Sequence, residues 1–229
     1  MTFSRDAAED KLLRESLALL AAYKMPVYIT DGGSPDSFLQ FLQGFPQFKV
    51  VQAQKKGLMA QVSSSLAAAS ASEKPFILYT EPDKKFFFQA LPTFLEQVPP
   101  EAPGIFLASR SAVGFGSYPS FQQMTETCVN NCCTEATGHF LDYTYGPFLM
   151  HRRLAPCMAP VQEDIGWGWR PYVFVTAKRL GLQLAEYRDD YLCPPEQQSD
   201  SAAERLYRMR QLEQSVRGIV LATGAPLEW

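Results

Sequence analysis

The sequence predicts an α/β domain with a mostly parallel central sheet flanked by helices. Two observations carry this prediction. Short apolar segments alternate with longer stretches in which apolar residues recur every three or four positions, as they do along one face of a helix. The short segments are apolar on both faces, which is typical of parallel strands that are covered by helices on either side.

The strands are predicted where β-branched and aromatic residues cluster and then meet a polar or glycine-rich turn. They span residues 26–30, 49–52, 75–79 and 105–108. The helices lie between and after them, over residues 6–23, 34–44, 57–69, 84–97, 122–133 and 171–180. In the second helix Ser34 is the expected N-cap, Pro35 takes the first helical position and Gly44 ends it. Pro92 is expected to kink the fourth helix.

The carboxyl-terminal part of the chain differs from the rest. Pro194-Pro195 and the polar residues up to Ser201 form the best candidate for a linker. Beyond it, Leu206, Met209, Val216 and Val220 lie near one face of a predicted helix. We therefore expect an α/β domain over residues 1–193, with residues 194–229 forming a linker and a helical tail packed on it.

Composition excludes several classes of protein. The 229 residues include 21 Lys and Arg against 24 Asp and Glu, a formal net charge of −3, whereas nucleic-acid binders normally carry a basic excess. No apolar run approaches the roughly 18 residues of a membrane helix, and no secretory signal opens the sequence. Five cysteines without a CxxC motif predict a reducing, cytoplasmic environment. The oligomeric state is not predicted.

Polar loops follow all four predicted strands. They are Asp31-Gly-Gly-Ser34, residues 52–57, Glu81-Pro-Asp83 and residues 110–116. Ligands of open parallel sheets bind beyond the carboxyl ends of the strands, so these loops predict a common crevice. Each loop alone is equally typical of an ordinary turn, since turns are rich in Asp, Gly and Ser.

Two acidic pairs are the candidate catalytic groups. Glu81 and Asp83 can reach one Mg²⁺ or Mn²⁺ ion from a single turn, and such an ion would neutralise a leaving diphosphate. The alternative is a solvated turn with Asp83 capping the next helix. Glu163 and Asp164 can supply a general base, or can simply favour the positive end of the helix that follows. Beside them, Trp167 and Trp169 can stack on a sugar, although such tryptophans are more often packing residues.

In this order the motifs resemble the inverting glycosyltransferases of the GT-A fold, most closely the branch of the polyprenyl-phosphate mannose synthases. The likeness rests on Val27 to Ser34, on the glycine-led helix that begins at Gly57, and on Ile77 to Asp83, which is similar to a strand ending in a DxD metal motif. Further support comes from Leu141 to Arg153 and from Glu163-Asp164. Together these stretches span most of residues 6–190.

The resemblance implies a function and a set of roles. The activity would be transfer of a sugar from a nucleoside-diphosphate sugar to an unidentified hydroxyl or phosphate acceptor. Asp31, Gly32 and Gly57 would contact the nucleotide, and Arg110 and Arg152 would face phosphate. Glu81 and Asp83 would hold the Mg²⁺ or Mn²⁺ ion and the diphosphate, Asp164 or else Glu163 would be the base, and Trp167 and Trp169 would contact the acceptor.

Three departures from the family pattern leave alternatives open. The family's first strand and its nucleotide-binding loop have no counterpart, because the sequence opens at the helix that would follow them. Glu81-Pro stands in place of the usual Asp-x, and Tyr145 in place of a serine before Gly146. A degenerate domain that binds a sugar, a nucleotide or a protein without catalysis is therefore the second hypothesis. An unrelated nucleotidyltransferase is the third, although its glycine-rich opening loop is absent.

Overall fold

The computed structural model describes residues 7–53, 55–72, 74–101 and 104–225. The helices are α1 (Ala7–Ala21), α2 (Asp36–Gln43), α3 (Leu58–Ser70), α4 (Lys85–Glu96), α5 (Ala112–Gly116), α6 (Ser120–Thr137), α7 (Trp169–Arg179) and α8 (Ala202–Gly224). The strands are β1 (Val27–Thr30), β2 (Phe48–Val51), β3 (Phe76–Tyr79), β4 (Ile105–Arg110), β5 (Phe148–His151) and β6 (Leu184–Asp189). Short 3-10 helices cover Arg152–Met158, Gly166–Gly168 and Pro195–Gln197.

This order confirms the predicted α/β class and every predicted strand. Two residues of the predicted elements lie outside the described residues. They are Asp6, at the start of one predicted helix, and residue 54, within one predicted loop. The sequence predicted a kink in helix α4 at Pro92. The helix continues through this residue. Helix α6 is longer at both ends than predicted, because Pro119 precedes it and Gly138 ends it in the left-handed conformation at φ 73°.

The strands form two sheets. Strands β1 and β2 pair in parallel, and a separate four-stranded sheet has the order β3-β5-β4-β6. Strands β3, β4 and β6 run in one direction, and β5, which the sequence reading missed as a strand, runs against both of its neighbours. Strand β5 thus lies between β3 and β4 in the sheet although it follows both of them in the chain. The apolar pattern of its four residues did not predict this position.

Apolar residues cover both faces of the four-stranded sheet, as the two-sided strand pattern predicted. Along β4, Ile105 and Leu107 join the core formed with α3, α6 and α7, while Phe106 joins the core formed with α1, α2 and α4. Burying an aromatic or aliphatic side chain of this size contributes about 1.5–3 kcal/mol. The two cores fix the sheet, and hence the positions of the loops that leave its carboxyl end.

The carboxyl-terminal helix α8 packs against α6 and α7. Its inward face consists mainly of small residues, including Ser215, Gly218 and Ala222. The apolar residues that the sequence analysis grouped on one face, Leu206, Met209, Val216 and Val220, are exposed instead. None of the described helices combines the length and the apolar composition that a bilayer crossing requires.

Candidate active site

A cavity of about 470 Å³ lies where the carboxyl ends of β3 and β4 meet α6, α7 and α8. The turn after β3 contributes Glu81, Pro82 and Asp83 to its wall, and β4 contributes its last residue, Arg110. This position agrees with the rule that ligands of parallel sheets bind beyond the carboxyl ends of the strands. The cavity is the candidate active site.

Glu81 is buried, and its two carboxylate oxygens have different surroundings. Oε1 accepts a hydrogen bond of 2.9 Å from Nη1 of Arg170, the second residue of α7. Oε2 is buried and accepts no hydrogen bond from the described residues. Gly146, at φ 127°, lies against this carboxylate so closely that a Cβ there would collide with Oε2. Glycine at 146 therefore makes room for the Glu81 side chain.

Asp83 has a similar arrangement. Its Oδ2 accepts hydrogen bonds from Nζ of Lys84, at 3.2 Å, and from the side-chain amide of Gln197, whereas its Oδ1 is buried and accepts none from the described residues. Burial alone would raise the pKa of Asp83, but the Lys84 ammonium and the Gln197 amide lower it below its ordinary value. The carboxylate is therefore charged at neutral pH.

A divalent cation fits the two free oxygens. Mg²⁺ is commonly bound by one or two carboxylates, with water and substrate phosphate completing its shell. Glu81 Oε2 and Asp83 Oδ1 are hard oxygen donors that accept no well-aligned hydrogen bond from the described residues, although the Tyr79 hydroxyl lies beside the Glu81 carboxylate. Within the described ranges no three or more His, Cys, Asp or Glu side chains form a group able to hold a metal. The chain would thus supply two ligands and leave the rest to solvent and substrate.

The cations around the cavity are already paired with acids. Lys84 pairs with Asp83, Arg170 with Glu81, Arg110 with Asp142 and Glu126, and Arg208 with Glu204. The charged residues of the lining are four basic and six acidic side chains, which leaves a formal charge of −2. A diphosphate entering this cavity must bring a cation or displace an existing partner, because like charges repel strongly at short range.

Arg110 is held inside the wall of the cavity. It is 3% exposed, its Nε and Nη2 donate to the Asp142 carboxylate at 2.8 and 3.0 Å, and Tyr118 lies under its guanidinium at 4.6 Å from the ring centroid. Burial alone would raise the pKa of Asp142, but the Arg110 guanidinium holds it well below its ordinary value. The predicted phosphate-facing role does not suit an arginine whose fork is occupied in this way.

Asp164, the predicted base, and Gly57, a predicted nucleotide contact, are brought into contact. Gly57 precedes α3 at φ 114°, and a Cβ there would collide with Oδ2 of Asp164. The other oxygen, Oδ1, accepts a hydrogen bond of 2.9 Å from the backbone N–H of Gly166. Asp164 is exposed and lies outside the lining of the cavity, whereas Glu163 forms an ion pair with Arg217 of α8.

Asp31 and Gly32 form the turn after β1. Oδ2 of Asp31 accepts hydrogen bonds from the backbone N–H groups of Gly33 and Ser34, at 2.7 and 2.8 Å, which closes the turn locally. Gly32 is exposed. Neither residue lines the cavity, so the structure does not bring the predicted nucleotide contacts of this turn to the Glu81–Asp83 pair.

Arg152 lies near the opposite end of strand β3 from the Glu81–Asp83 pair. Strand β5 runs against β3, with His151 opposite Phe76 and Phe148 opposite Tyr79. Arg152 therefore lies beside Pro75 at the start of β3, where its N–H donates to the Pro75 carbonyl at 2.9 Å, while Glu81 follows the end of β3. The phosphate role of Arg152 was implied by the family resemblance alone, and the structure places this residue away from the Glu81–Asp83 pair.

The two tryptophans occupy different environments. Trp167 lines the cavity, and its Nε1 donates to Oη of Tyr207 at 3.0 Å. Trp169 is 0% exposed and packs edge-on to Tyr79, with ring centroids 4.6 Å apart. Only Trp167 is placed where an acceptor could touch it. Periodicity could not separate the two residues, because the 3-10 helix at Gly166–Gly168 ends between them.

Sequence reasoning missed several residues of the site. Arg170, Gln197 and Asp142 carry no motif of their own. Arg170 directly follows the second of the two predicted tryptophans. Asp142 lies within the Leu141 to Arg153 stretch but had no predicted role. Gln197 comes from the segment read as a linker, and its contact with Asp83 spans more than a hundred residues of chain. Such contacts become visible only when the tertiary structure is known.

Comparison with solved structures identifies the fold. The chain is similar to glucosyl-3-phosphoglycerate synthase from Mycobacterium tuberculosis in complex with phosphoglyceric acid, at TM-score 0.66 and 15% identity over 98% of this chain and 78% of that one. The same enzyme in complex with uridine diphosphate gives 0.61 and 13%, over 98% and 88%. Mannosyl-3-phosphoglycerate synthase from Rubrobacter xylanophilus gives 0.61 and 15%, over 97% and 76%.

No family model and no curated protein sequence matches the chain. The likeness to the solved structures, at this level of identity, concerns the fold. The chain has the α/β architecture of the GT-A type, as the sequence motifs predicted.

Proposed function

We propose that the protein is a metal-dependent glycosyltransferase that uses a nucleoside-diphosphate sugar. The observation that carries the proposal is that Glu81 and Asp83, in one turn, both border the cavity, and that Glu81 Oε2 and Asp83 Oδ1 are buried without a well-aligned hydrogen bond from the described residues. Buried acceptors are nearly always satisfied, so two unsatisfied carboxylate oxygens in one turn favour a missing cation. A similar structure contains bound uridine diphosphate, which supports a nucleoside-diphosphate sugar as the donor.

The surrounding side chains keep the two acids in place. Arg170 holds Oε1 of Glu81, and Lys84 and Gln197 hold Oδ2 of Asp83, so that each acid keeps one oxygen directed elsewhere. A bound Mg²⁺ or Mn²⁺ ion would neutralise charge on the departing diphosphate. The cavity's own cations are paired with acids, which is why we propose that the positive charge is supplied from outside the chain.

Asp164 is the proposed base. In the transfer the acceptor oxygen forms a bond to the anomeric carbon, the bond from that carbon to the diphosphate breaks, and its electron pair leaves with the diphosphate. The acceptor's hydroxyl proton would pass to Oδ2 of Asp164, since Oδ1 is held by the N–H of Gly166. The acceptor is unidentified. Phosphoglyceric acid, bound in a similar structure, is the first compound to test.

A binding protein without catalysis is the second candidate function. It is favoured by the negative formal charge of the cavity and by the position of Asp164 outside its lining. It would bind the same donor but release no nucleoside diphosphate. The polyprenyl-phosphate mannose synthase subtype stays a prediction from the sequence motifs.

Thermal unfolding with UDP-glucose, UDP-mannose, GDP-glucose or GDP-mannose, with and without Mn²⁺, tests the proposal. A donor present at a hundred times its Kd stabilises the folded state by about 2.7 kcal/mol, which raises the Tm by about 5–10 °C. We expect this rise only when Mn²⁺ is present. Asp83→Asn should remove it.

Glu196→Gln is the matched control, because it removes the same charge from the same cavity wall. It should keep the rise in Tm. Loss in both variants, or a wild-type rise that needs no metal, contradicts the proposed site. Release of nucleoside diphosphate on adding phosphoglyceric acid then separates the enzyme from the binding protein, and Asp164→Asn should abolish that release while keeping the rise in Tm.

A further inference from the structure

Helix α8 packs directly against the turn that carries the proposed base and one of the predicted acceptor contacts. We call this turn, residues 163–168, the acceptor-side turn. A Cβ at Gly168 would collide with the carbonyl oxygen of Gln214, and a Cβ at Gly218 would collide with the carbonyl oxygen of Gly168. Glycine at 168 and 218 therefore lets the backbone of the turn touch the backbone of the helix.

The Gln214 side chain contacts two consecutive residues of the acceptor-side turn. Its Oε1 accepts a hydrogen bond of 3.1 Å from the backbone N–H of Trp167. Its amide group also lies against Gly166, which has φ 51°, so closely that a Cβ at Gly166 would collide with it. The N–H of Gly166 in turn donates to Oδ1 of Asp164 at 2.9 Å. One side chain of α8 thus supports the two peptide groups next to the proposed base and the predicted acceptor contact.

Two other residues of α8 contact the same turn. The hydroxyl of Tyr207, two helical turns before Gln214, accepts a hydrogen bond of 3.0 Å from the Nε1–H of Trp167. Trp167 is therefore held from α8 both at its backbone and at its ring. Arg217 pairs with Glu163, but these side chains are 50% and 39% exposed, so solvent screens their attraction. Gln214 is half-buried, and without it the Trp167 N–H would lose its partner.

We propose that Gln214 is a positioning residue for the acceptor: it fixes the acceptor-side turn so that the Trp167 ring borders the cavity and Asp164 keeps Oδ2 for the acceptor's proton. The proposal rests on the proposed function, which gives these two residues their roles. Gln214 is not among the residues that line the cavity, so it acts through the turn and not on a ligand. Transfer is sensitive to such support, because a displacement of about 1 Å can cost a hundredfold in rate.

Gln214→Met and Gln214→Glu test this role, because the three side chains are similar in length. Methionine lacks the oxygen that accepts the Trp167 N–H, whereas glutamate retains one. Amide hydrogen exchange, measured without any ligand, should be about tenfold or more faster at Trp167 in Gln214→Met than in the wild type. It should stay at the wild-type rate in Gln214→Glu. Equal rates in all three proteins would show that the side chain does not hold the turn, and would overturn the proposal.

Kinetics then separate positioning from folding. The assay contains Mn²⁺, phosphoglyceric acid and whichever of the four sugar nucleotides named above raises the Tm most. The kcat for release of nucleoside diphosphate should fall about tenfold to a hundredfold in Gln214→Met, while the rise in Tm with the donor stays unchanged. Gln214→Glu should keep the wild-type kcat. So should Glu213→Gln, the matched control, which changes an exposed neighbour on α8.

The other outcomes are distinct from one another. A wild-type kcat in Gln214→Met overturns the positioning role and leaves the proposed function in place. Equal losses of kcat in Gln214→Met and Gln214→Glu overturn it too, because they assign the effect to packing and not to the hydrogen bond. A wild-type chain that binds the donor but releases no nucleoside diphosphate removes the proposed function, and the positioning role with it.

Discussion

The two cavities of this protein lie on either side of Pro82 and are built in opposite ways. The cavity at the carboxyl ends of β3 and β4 has ten charged lining residues, and its basic groups are each held by an acid. The second cavity, of about 390 Å³ between β1 and β3, is called the inter-sheet slot; among the described residues its lining has one charged side chain, and β1 and β3 each have one edge without a strand partner. In the first cavity the unsatisfied groups belong to side chains and include the Nε groups of Arg170 and Arg208 beside the carboxylate oxygens, and in the second they belong to the backbone.

This difference indicates what each cavity can bind. Two carboxylates that border one cavity suit a hard cation, whereas the apolar walls of the slot suit an apolar group. The charged cavity should therefore respond to changes of charge and the slot to changes of shape. The following predictions test that distinction, beginning with the largest effect.

Asp142→Asn should be the most damaging change of charge. Arg110 is buried and Asp142 holds it through two hydrogen bonds, so the variant leaves a buried guanidinium without its main partner. Breaking a buried pair by removing one member typically costs about 3–5 kcal/mol. Urea unfolding at pH 7 measures this loss. A change below about 1 kcal/mol would mean that the pair contributes little to the wall of the cavity.

Two leucine variants compare the slot with the fully packed core. Leu91 is 0% exposed on α4, and Leu91→Ala should cost close to 5 kcal/mol, the upper end for this substitution. Leu20 faces the slot, where a space already exists and fewer contacts are lost. Leu20→Ala should therefore cost nearer 2 kcal/mol by urea unfolding. Equal losses would show that the slot is closed and packed in solution.

Acid should weaken the charged cavity in a defined direction. The pKa of Asp142 is lowered in the folded protein, so its contribution to stability is fully present above its unfolded pKa of about 3.9. That contribution is lost as the pH falls through the lower folded pKa. The free energy of unfolding of the wild type should thus decrease below about pH 4, and Asp142→Asn should show a shallower slope there. Equal slopes would exclude Asp142 as a source of the acid sensitivity.

The smallest expected effect separates the two tryptophans. Trp167→Phe removes the hydrogen bond from Nε1 to Tyr207, which should cost about 1 kcal/mol of stability, and it should raise the KM for the acceptor severalfold. Trp169→Phe replaces a buried indole that does not line the 470 Å³ cavity. The stability should therefore change, whereas the KM for the acceptor should not. Steady-state kinetics with urea unfolding on both variants measures this. A raised KM in Trp169→Phe alone would reverse the assignment.

The sequence predicted the fold better than the site. Strands β1, β2, β3 and β4 and the α/β class followed from local periodicity, which the apolar cores reinforce. Strand β5 was missed because its place between β3 and β4 depends on pairing between distant segments. The motif order directed attention to the turn at Glu81 and Asp83, and this turn borders a cavity.

The partners of the site residues could not be predicted. Whether Arg110 faces a ligand or an internal acid depends on Asp142, which lies 32 residues further along the chain. Whether Arg152 lies near the Glu81–Asp83 turn depends on the direction of β5, which the sequence did not show. Trp167 and Trp169 are two residues apart, and only the turn between them decides which is buried. Composition and spacing carry no information on these three questions.

Anomalous diffraction from crystals grown with Mn²⁺ and UDP tests the central claim most directly. The account predicts one manganese peak within about 2.5 Å of both Glu81 Oε2 and Asp83 Oδ1, with the diphosphate on its open side. Bound UDP with no manganese at these oxygens, or with manganese at another place in the molecule, would contradict it.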